Sequence, residues 1–297
     1  MVTIIPSDSL HIRPAQTSDK TPILAFCQHT WDDEADYIPD VWDVWFADPT
    51  GHISVADRDS QPVGMTRLVQ LSDTEGWWEA LRVDRDFRRQ GIGHQLTQST
   101  LSLAQSLGLT TLRTCVSLTN ASMHPFMQHW GFSPLGDYAV YRAAASEGAP
   151  TALRLLGEDD CDRAWAAINR FVSEERDLLF VVRGAKWQTL TPVNLAQFLA
   201  QGWGWGSFEG NTLTSLFIRS HMESPDGTLW IGWLGGTASG IQVALNDMGH
   251  LARQLGFKAI GGFLPQSKSL VTVLKTTGYE FSDTSVYRLY EKPLGEQ

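Results

Sequence analysis

The chain has 297 residues, 42 % of them hydrophobic, and a formal net charge of −10; this exceeds what one core usually fills, so two domains are expected. The acidic balance excludes a broad phosphate-neutralising surface, hence nucleic acid as a partner, and any anion site must be local. Three distant cysteines, Cys27, Cys115 and Cys161, lack CxxC spacing, and no apolar run approaches ~18 residues, so no metal site, no helical membrane span and a cytoplasmic location are expected.

In chain order, "LHIRPA" reads as a strand, and Ser18 to His29 as a helix with apolar residues at Ile23, Leu24 and Phe26. Next comes "DDEADYIPDVWDVWFADP", with seven acidic residues between Asp32 and Asp48, no basic partner within it, and Trp42, Trp45 and Phe46 at core-stripe spacing. "HISVADRDSQPVGMTRLVQL" is two strands joined at Arg58-Asp59-Ser60, and "GWWEALRV" a further strand. Ile92 to Leu107 is a helix with Leu96, Leu103, Ala104 and Leu107 on its apolar face, ended by Gly108. "TTLRTCV" is a strand, Ser122 to Trp130 a helix, and "DYAVYRA" a strand, so the order implies a mixed α/β sheet.

Ala143 to Pro150, "AAASEGAP", reads as a linker dividing domains at 1–145 and 150–297. "LAQSLGLTTL" (Leu103 to Leu112) aligns with "LARQLGFKAI" (Leu251 to Ile260), the mark of an internal duplication. In the second half, strands "TLWIGWL" and "KAIGGFL" flank a helix at Gln242 to Leu255, and a last helix lies near Leu270 to Thr276.

"EALRVDRDFRRQGIG" (Glu79 to Gly93) is a strand feeding an arginine-rich, glycine-containing turn and then a helix. Such a turn aims backbone N–H groups and the positive end of the helix dipole at one spot, where Arg85, Arg88 and Arg89 add charge; that is a pyrophosphate cradle. Leu96 breaks a dinucleotide fingerprint, and no Gly-Lys-Ser/Thr makes a P-loop. The second half has "GGTASGI" (Gly235 to Ile241) instead, with no basic residue.

Arg88-x-x-Gly91-x-Gly93 after the strand "EALRV", followed by Asn120 and a helix ending in Gly131-Phe132, resembles the acetyl-CoA signature of the GCN5-related N-acetyltransferase (GNAT) superfamily. The resemblance implies two tandem acetyltransferase-like domains of mixed α/β GNAT type, the second degenerate, with acetyl-CoA as cosubstrate. It implies backbone contacts to the pantetheine arm from Leu81, Arg82 and Val83, and cofactor binding by Arg88, Arg89, Gln90, Gly91, Ile92, Gly93, His94 and Asn120. The superfamily's thiolate-protonating tyrosine is absent, since Met127 takes its place; Tyr138 and Tyr141 are the substitutes at hand. Asp36-Tyr37-Ile38-Pro39, Trp45 and Asp48-Pro49 are similar to the histidine N-acetyltransferase-like branch, which implies a free amino acid or small amine as acceptor.

An α-amine with pKa near ~8 is neutral in roughly a tenth of molecules at pH 7, against fewer than about one in a thousand for lysine, so a site with weak acid–base equipment suits it. Glu79, sharing strand parity with Leu81 and Val83, is the candidate proton acceptor, and Asp36 and Tyr37 are candidates to hold the substrate ammonium. His124 and His129 lie near the acyl end of the site but read as structural, and the second half reads as a scaffold. A monomer or homodimer is expected, and the rival functions are a non-catalytic acyl-CoA-binding regulator and a peptide N-acetyltransferase.

Overall fold

In a computed structural model, residues 10–31, 35–173, 178–221 and 226–295 are described. Asp32, Asp33 and Glu34 of the acidic stretch lie outside them. Contacts divide the chain into two compact units, Met1–Thr114 with Glu291–Gln297, and Cys115–Tyr290.

The first unit runs β1 (Leu10–Pro14), α1 (Lys20–Cys27), α2 (Ile38–Ala47), β2 (Gly51–Arg58), β3 (Gln61–Gln70), β4 (Glu75–Val83), α3 (Ile92–Ser106) and the start of β5 (Thr111–Ser117). β1 to β4 form an antiparallel meander, and β5 joins β4 in parallel. The turn between β2 and β3 places Asp59 and Ser60 at φ 51° and 67°, the left-handed pair that a two-residue hairpin requires. One face of the sheet packs Val55, Met65 and Ala80 against Ile23, Phe26, Ile38 and Trp42 of α1 and α2. The other packs Val63, Leu81 and Val83 against Ile92 and Leu96 of α3.

Two apolar stripes differ from the periodic pattern. Ala104 and Leu96 are buried on α3, but Leu103 and Leu107 are only half-buried; Ile92, Thr97, Thr100 and Leu101 complete the inner face, the two hydroxyls bonding back to Gly93 O at 2.7 Å and Leu96 O at 2.9 Å. On α2 only Trp42 of the three aromatic positions is buried, while Phe46 is 42 % exposed and Trp45 turns to an arginine described below. A short helix over one sheet buries a single strip, and the spare rings fall on its flank.

The second unit continues with α4 (Met123–His129), β6 (Ser133–Ala144), β7 (Leu153–Leu155), α5 (Cys161–Phe171), β8 (Leu179–Val181), β9 (Trp187–Thr189), α6 (Pro192–Ala200), β10 (Gly204–Glu209), β11 (Thr212–Arg219), β12 (Thr228–Gly236), α7 (Ala238–Gln254), β13 (Ala259–Pro265), α8 (Lys268–Thr276) and β14 (Glu280–Pro293), whose last residues return to the first unit. Its strand order is β14-β6-β13-β12-β11-β10-β7, with β8 and β9 a separate hairpin. Part of the expected linker is strand: Ala143 and Ala144 end β6 and pair with Ile260 and Ala259 of β13, and Ala145 N donates to Lys258 O at 2.9 Å. A run of small residues is compatible with a strand edge when a partner strand supplies the hydrogen bonds. By packing, α4 and β6 therefore fall in Cys115–Tyr290.

β12–α7–β13 repeats the parallel β4–α3–β5 unit. Each repeat also carries one bulge: three steps of β4 from Glu79 to Arg82 face two of β3, and two steps of β12 from Ile231 to Trp233 face one of β11. The duplication thus extends to an irregularity in the ladder.

Candidate active site

The bulge in β4 shapes the site. Ala80 has φ 61°, a left-handed conformation that costs an ordinary side chain roughly 1–2 kcal/mol. The extra residue resets strand alternation. Glu79 pairs with Arg67 and Arg82 with Met65, so these face α1 and α2, whereas Val83 pairs with Gly64 beneath Leu96 and Ile92 of α3. Glu79 therefore does not share a face with Leu81 and Val83, as uninterrupted alternation predicts; it lies on the face of Asp36 and Arg82.

The parallel ladder between β4 and β5 stops at Trp77↔Arg113. Among the described residues, the edge of β4 beyond Trp77 has no strand partner on that side; there Leu81 O accepts from Arg82 Nη1 and Val83 O from Arg88 Nε, each at 3.2 Å.

At the end of β4 a short turn leads to α3. Arg89 and Gly91 have φ 61° and 79°, and no side chain caps the helix at Gly91. Gly93 follows in the first turn with helical backbone, and a Cβ added there meets nothing within 4 Å. Its lack of a side chain is required neither by conformation nor by packing within the protein, although glycine inside a helix costs about 1 kcal/mol relative to alanine. Arg85, Arg89 and His94 are exposed around the turn. Arg88 folds back onto the chain, its Nε donating to Val83 O at 3.2 Å and its Nη2 to Thr30 O at 3.0 Å. Gln90 Oε1 accepts from Arg58 Nη1 at 2.6 Å. Both brace the turn, and Ile92 is a buried anchor of α3; of the side chains expected at the phosphates, Arg89 and His94 are exposed.

On the opposite face two arginines are sunk among carboxylates. Arg82 donates from Nε and Nη2 to Asp36 at 2.7 and 3.2 Å, and its guanidinium lies 5.3 Å from the ring centres of both Trp31 and Tyr37. Desolvation weighs against its charge, but the Asp36 bond prevails and its pKa is raised. Arg67, 1 % exposed, donates to Glu79 and, at 2.6 Å, to Asp48, and stacks 4.6 Å from the Trp45 ring. Gly51 is the reason it fits: a Cβ there would stand 2.3 Å from Arg67 Nη2. The acidic stretch thus finds its partners on remote segments, Lys20 for Asp43, Arg82 for Asp36 and Arg67 for Asp48. Asp36 is corrected as an ammonium anchor: its side chain is 0 % exposed and committed to Arg82. Tyr37, 45 % exposed, stays accessible.

The second unit holds the remaining candidates. Asn120 opens the turn before α4, its Oδ1 accepting from Ser122 Oγ at 3.1 Å. Met127 is buried. Neither tyrosine substitute is spare, because Tyr138 packs 5.1 Å from Trp187 and the Tyr141 hydroxyl donates to Gln266 Oε1 at 3.3 Å. Sequence reasoning missed Arg67, whose only sequence signal is a charged residue inside an otherwise apolar strand. It also missed the pair of His124 Nδ1 and the Tyr290 hydroxyl, 2.9 Å apart and separated by 166 residues.

An uncapped helix start, two glycines and a strand edge without a strand partner thus meet at the end of β4. Residues 19–132 match the model of the "Acetyltransferase (GNAT) family". This segment is a GNAT acetyltransferase domain. The GNAT fold extends over nearly the whole chain. A GCN5-related N-acetyltransferase from Sphaerobacter thermophilus is similar with TM-score 0.64 at 15 % identity, over 96 % of each chain. A tandem GNAT protein from the clavulanic acid biosynthesis pathway has TM-score 0.55 at 15 % identity, over 97 % of this chain and 99 % of that one. An acetyltransferase-like structure from Thermoplasma acidophilum has TM-score 0.58 at 15 % identity, over 95 % and 99 %. No curated protein matches the sequence. No group of three or more His, Cys, Asp or Glu suited to a metal ion occurs among the described residues, and no helix there is long and apolar enough to cross a membrane.

Proposed function

We propose that this GNAT protein moves acetyl from acetyl-CoA to the amine of a small molecule, a free amino acid, by direct transfer in a ternary complex, with 1–145 as the catalytic domain and 150–297 as a degenerate copy. The observation that carries this is Gly93, a helix-start glycine that the protein's own fold does not need. The residues present fit the cosubstrate: backbone N–H groups of Gly91 to His94 with Arg89 would hold its diphosphate, and the edge of β4 at Leu81 to Val83 its amide-bearing arm. When bound, acetyl-CoA supplies an activated thioester carbonyl.

The β4 amides would polarise the thioester carbonyl oxygen, and Glu79 would take the amine proton through water from the α2 face of the sheet as the C–N bond forms and the C–S bond breaks, the coenzyme A thiolate leaving to take a proton from solvent. Arg82 supports an amino acid as acceptor. Three of the five N–H donors of its guanidinium are used, two on Asp36 and one on Leu81 O at 3.2 Å, leaving two that match a carboxylate. Asp36 acts by positioning Arg82, and Tyr37 supplies a ring face beside it.

The test is coenzyme A release from acetyl-CoA across free amino acids, their carboxamides, simple amines and short peptides. Turnover with free amino acids that falls on amidation of the carboxyl supports the proposal. Preference for peptides points to a peptide N-acetyltransferase, and acetyl-CoA binding without turnover on any acceptor to a regulatory protein.

A further inference from the structure

The second unit contains a cleft of its own. The parallel ladder of β12 and β13 ends at Ile231↔Gly262, while their outer edges stay paired as far as Gly236↔Ser215 and Pro265↔Tyr138. The inner edges of Gly232–Gly236 and Phe263–Pro265 therefore diverge, and both line a cavity of about 670 Å³, a volume typical of small-molecule sites. Trp187, Trp233 and Phe263 are among its lining residues, with Ile241 of α7 and Leu270 and Val273 of α8.

Charge is what separates this cleft from the arginine-bearing turn before α3. Asp137 is the only charged side chain among its described lining residues, and its carboxylate is taken by Arg288, whose Nε and Nη2 donate at 2.7 and 2.9 Å. The start of α7 is capped from within, Thr237 Oγ1 accepting from Gly240 N at 3.0 Å. Gly235 to Ile241 carries no basic residue. Among the described residues, no basic side chain lines the cleft and no uncapped helix start faces it to receive a diphosphate, which would be desolvated there, whereas the strand edges still offer peptide N–H and C=O groups.

We propose that this cleft binds a neutral, elongated ligand, aromatic or alkyl over most of its length, with amide or hydroxyl groups that pair with the strand edges, and that it does not take coenzyme A. The assignment of 150–297 as a scaffold alone is thereby replaced by a second binding site of different chemistry.

The probe is N-phenyl-1-naphthylamine, neutral and carrying one N–H, titrated by fluorescence into the full chain. Saturable binding at one per chain is expected, weakened about tenfold or more in both Ile241→Trp and Val273→Trp, which fill the cleft from separate helices. Each position is half-buried, and thermal unfolding checks that each variant is folded; if one is not, the other carries the test. Calorimetry with acetyl-CoA should give no binding that either substitution removes. Absence of saturable probe binding, probe affinity indifferent to the substitution in a folded variant, or acetyl-CoA binding lost in that variant would each overturn the proposal. The probe measurement does not use acetyl-CoA, so it stands apart from the fate of the site beside α3.

Discussion

Replacing Gly93 by Ala and then Val separates what the fold needs from what a ligand needs. No atom lies within 4 Å of a Cβ at this position and its backbone is helical, so either side chain enters open space. Alanine should raise stability by up to about 1 kcal/mol through helix propensity, and valine by somewhat less. The cost falls on the diphosphate: losing two charge-assisted backbone hydrogen bonds at about 1.5 kcal/mol each removes about 3 kcal/mol, or roughly a hundredfold in Kd. Isothermal titration with acetyl-CoA, paired with urea denaturation of the same samples, reads both quantities. Stability rising while affinity falls, further for valine than for alanine, is the expected pattern. Unchanged acetyl-CoA affinity in both variants would refute the cradle, since nothing would then occupy the space that Gly93 leaves.

Glu79→Gln should lower turnover about tenfold to a hundredfold at pH 7 and much less near pH 9, where an α-amine of pKa near ~8 is already neutral; a pH–rate profile parallel to wild type would remove Glu79 from proton transfer. Asp36→Asn leaves Arg82 buried without its carboxylate and should destabilise the protein by about 3 kcal/mol, read as a lower urea midpoint. A variant of wild-type stability with only the amine KM raised would instead restore Asp36 as a direct substrate contact. Burial, reinforced by the nearby Asp36 carboxylate, pushes the Cys27 thiol up to about 12, so at pH 8 it stays protonated and should resist iodoacetamide until the protein unfolds. Native labelling of Cys27 at the rate of an exposed thiol would contradict its buried place at the end of α1.

Much of the architecture is carried by local pattern. Apolar runs bounded by turn residues mark β2, β3 and β4, glycines end α3 and α4, and Arg88 to Gly93 announces a turn into a helix, because composition, capping and backbone freedom depend on residues a few positions apart. The glycine-bearing turn, and with it the GNAT resemblance, is therefore readable in one dimension. The faces of β4 beyond Glu79 are not. The bulge at Ala80 exists only where β4 pairs with β3, and it reverses which side chains share a face. Long-range pairing likewise decides which charges are spare: Asp36 meets Arg82 across 46 positions and Asp48 meets Arg67 across 19, so an acidic run without local partners is in part already neutralised. Sequence by itself determined most elements of the first half and the glycine-bearing turn. Only the tertiary structure decided where Glu79 faces, which carboxylates Arg67 and Arg82 meet, and that the second half holds a cleft, because each depends on strands and charges brought together from distant parts of the chain.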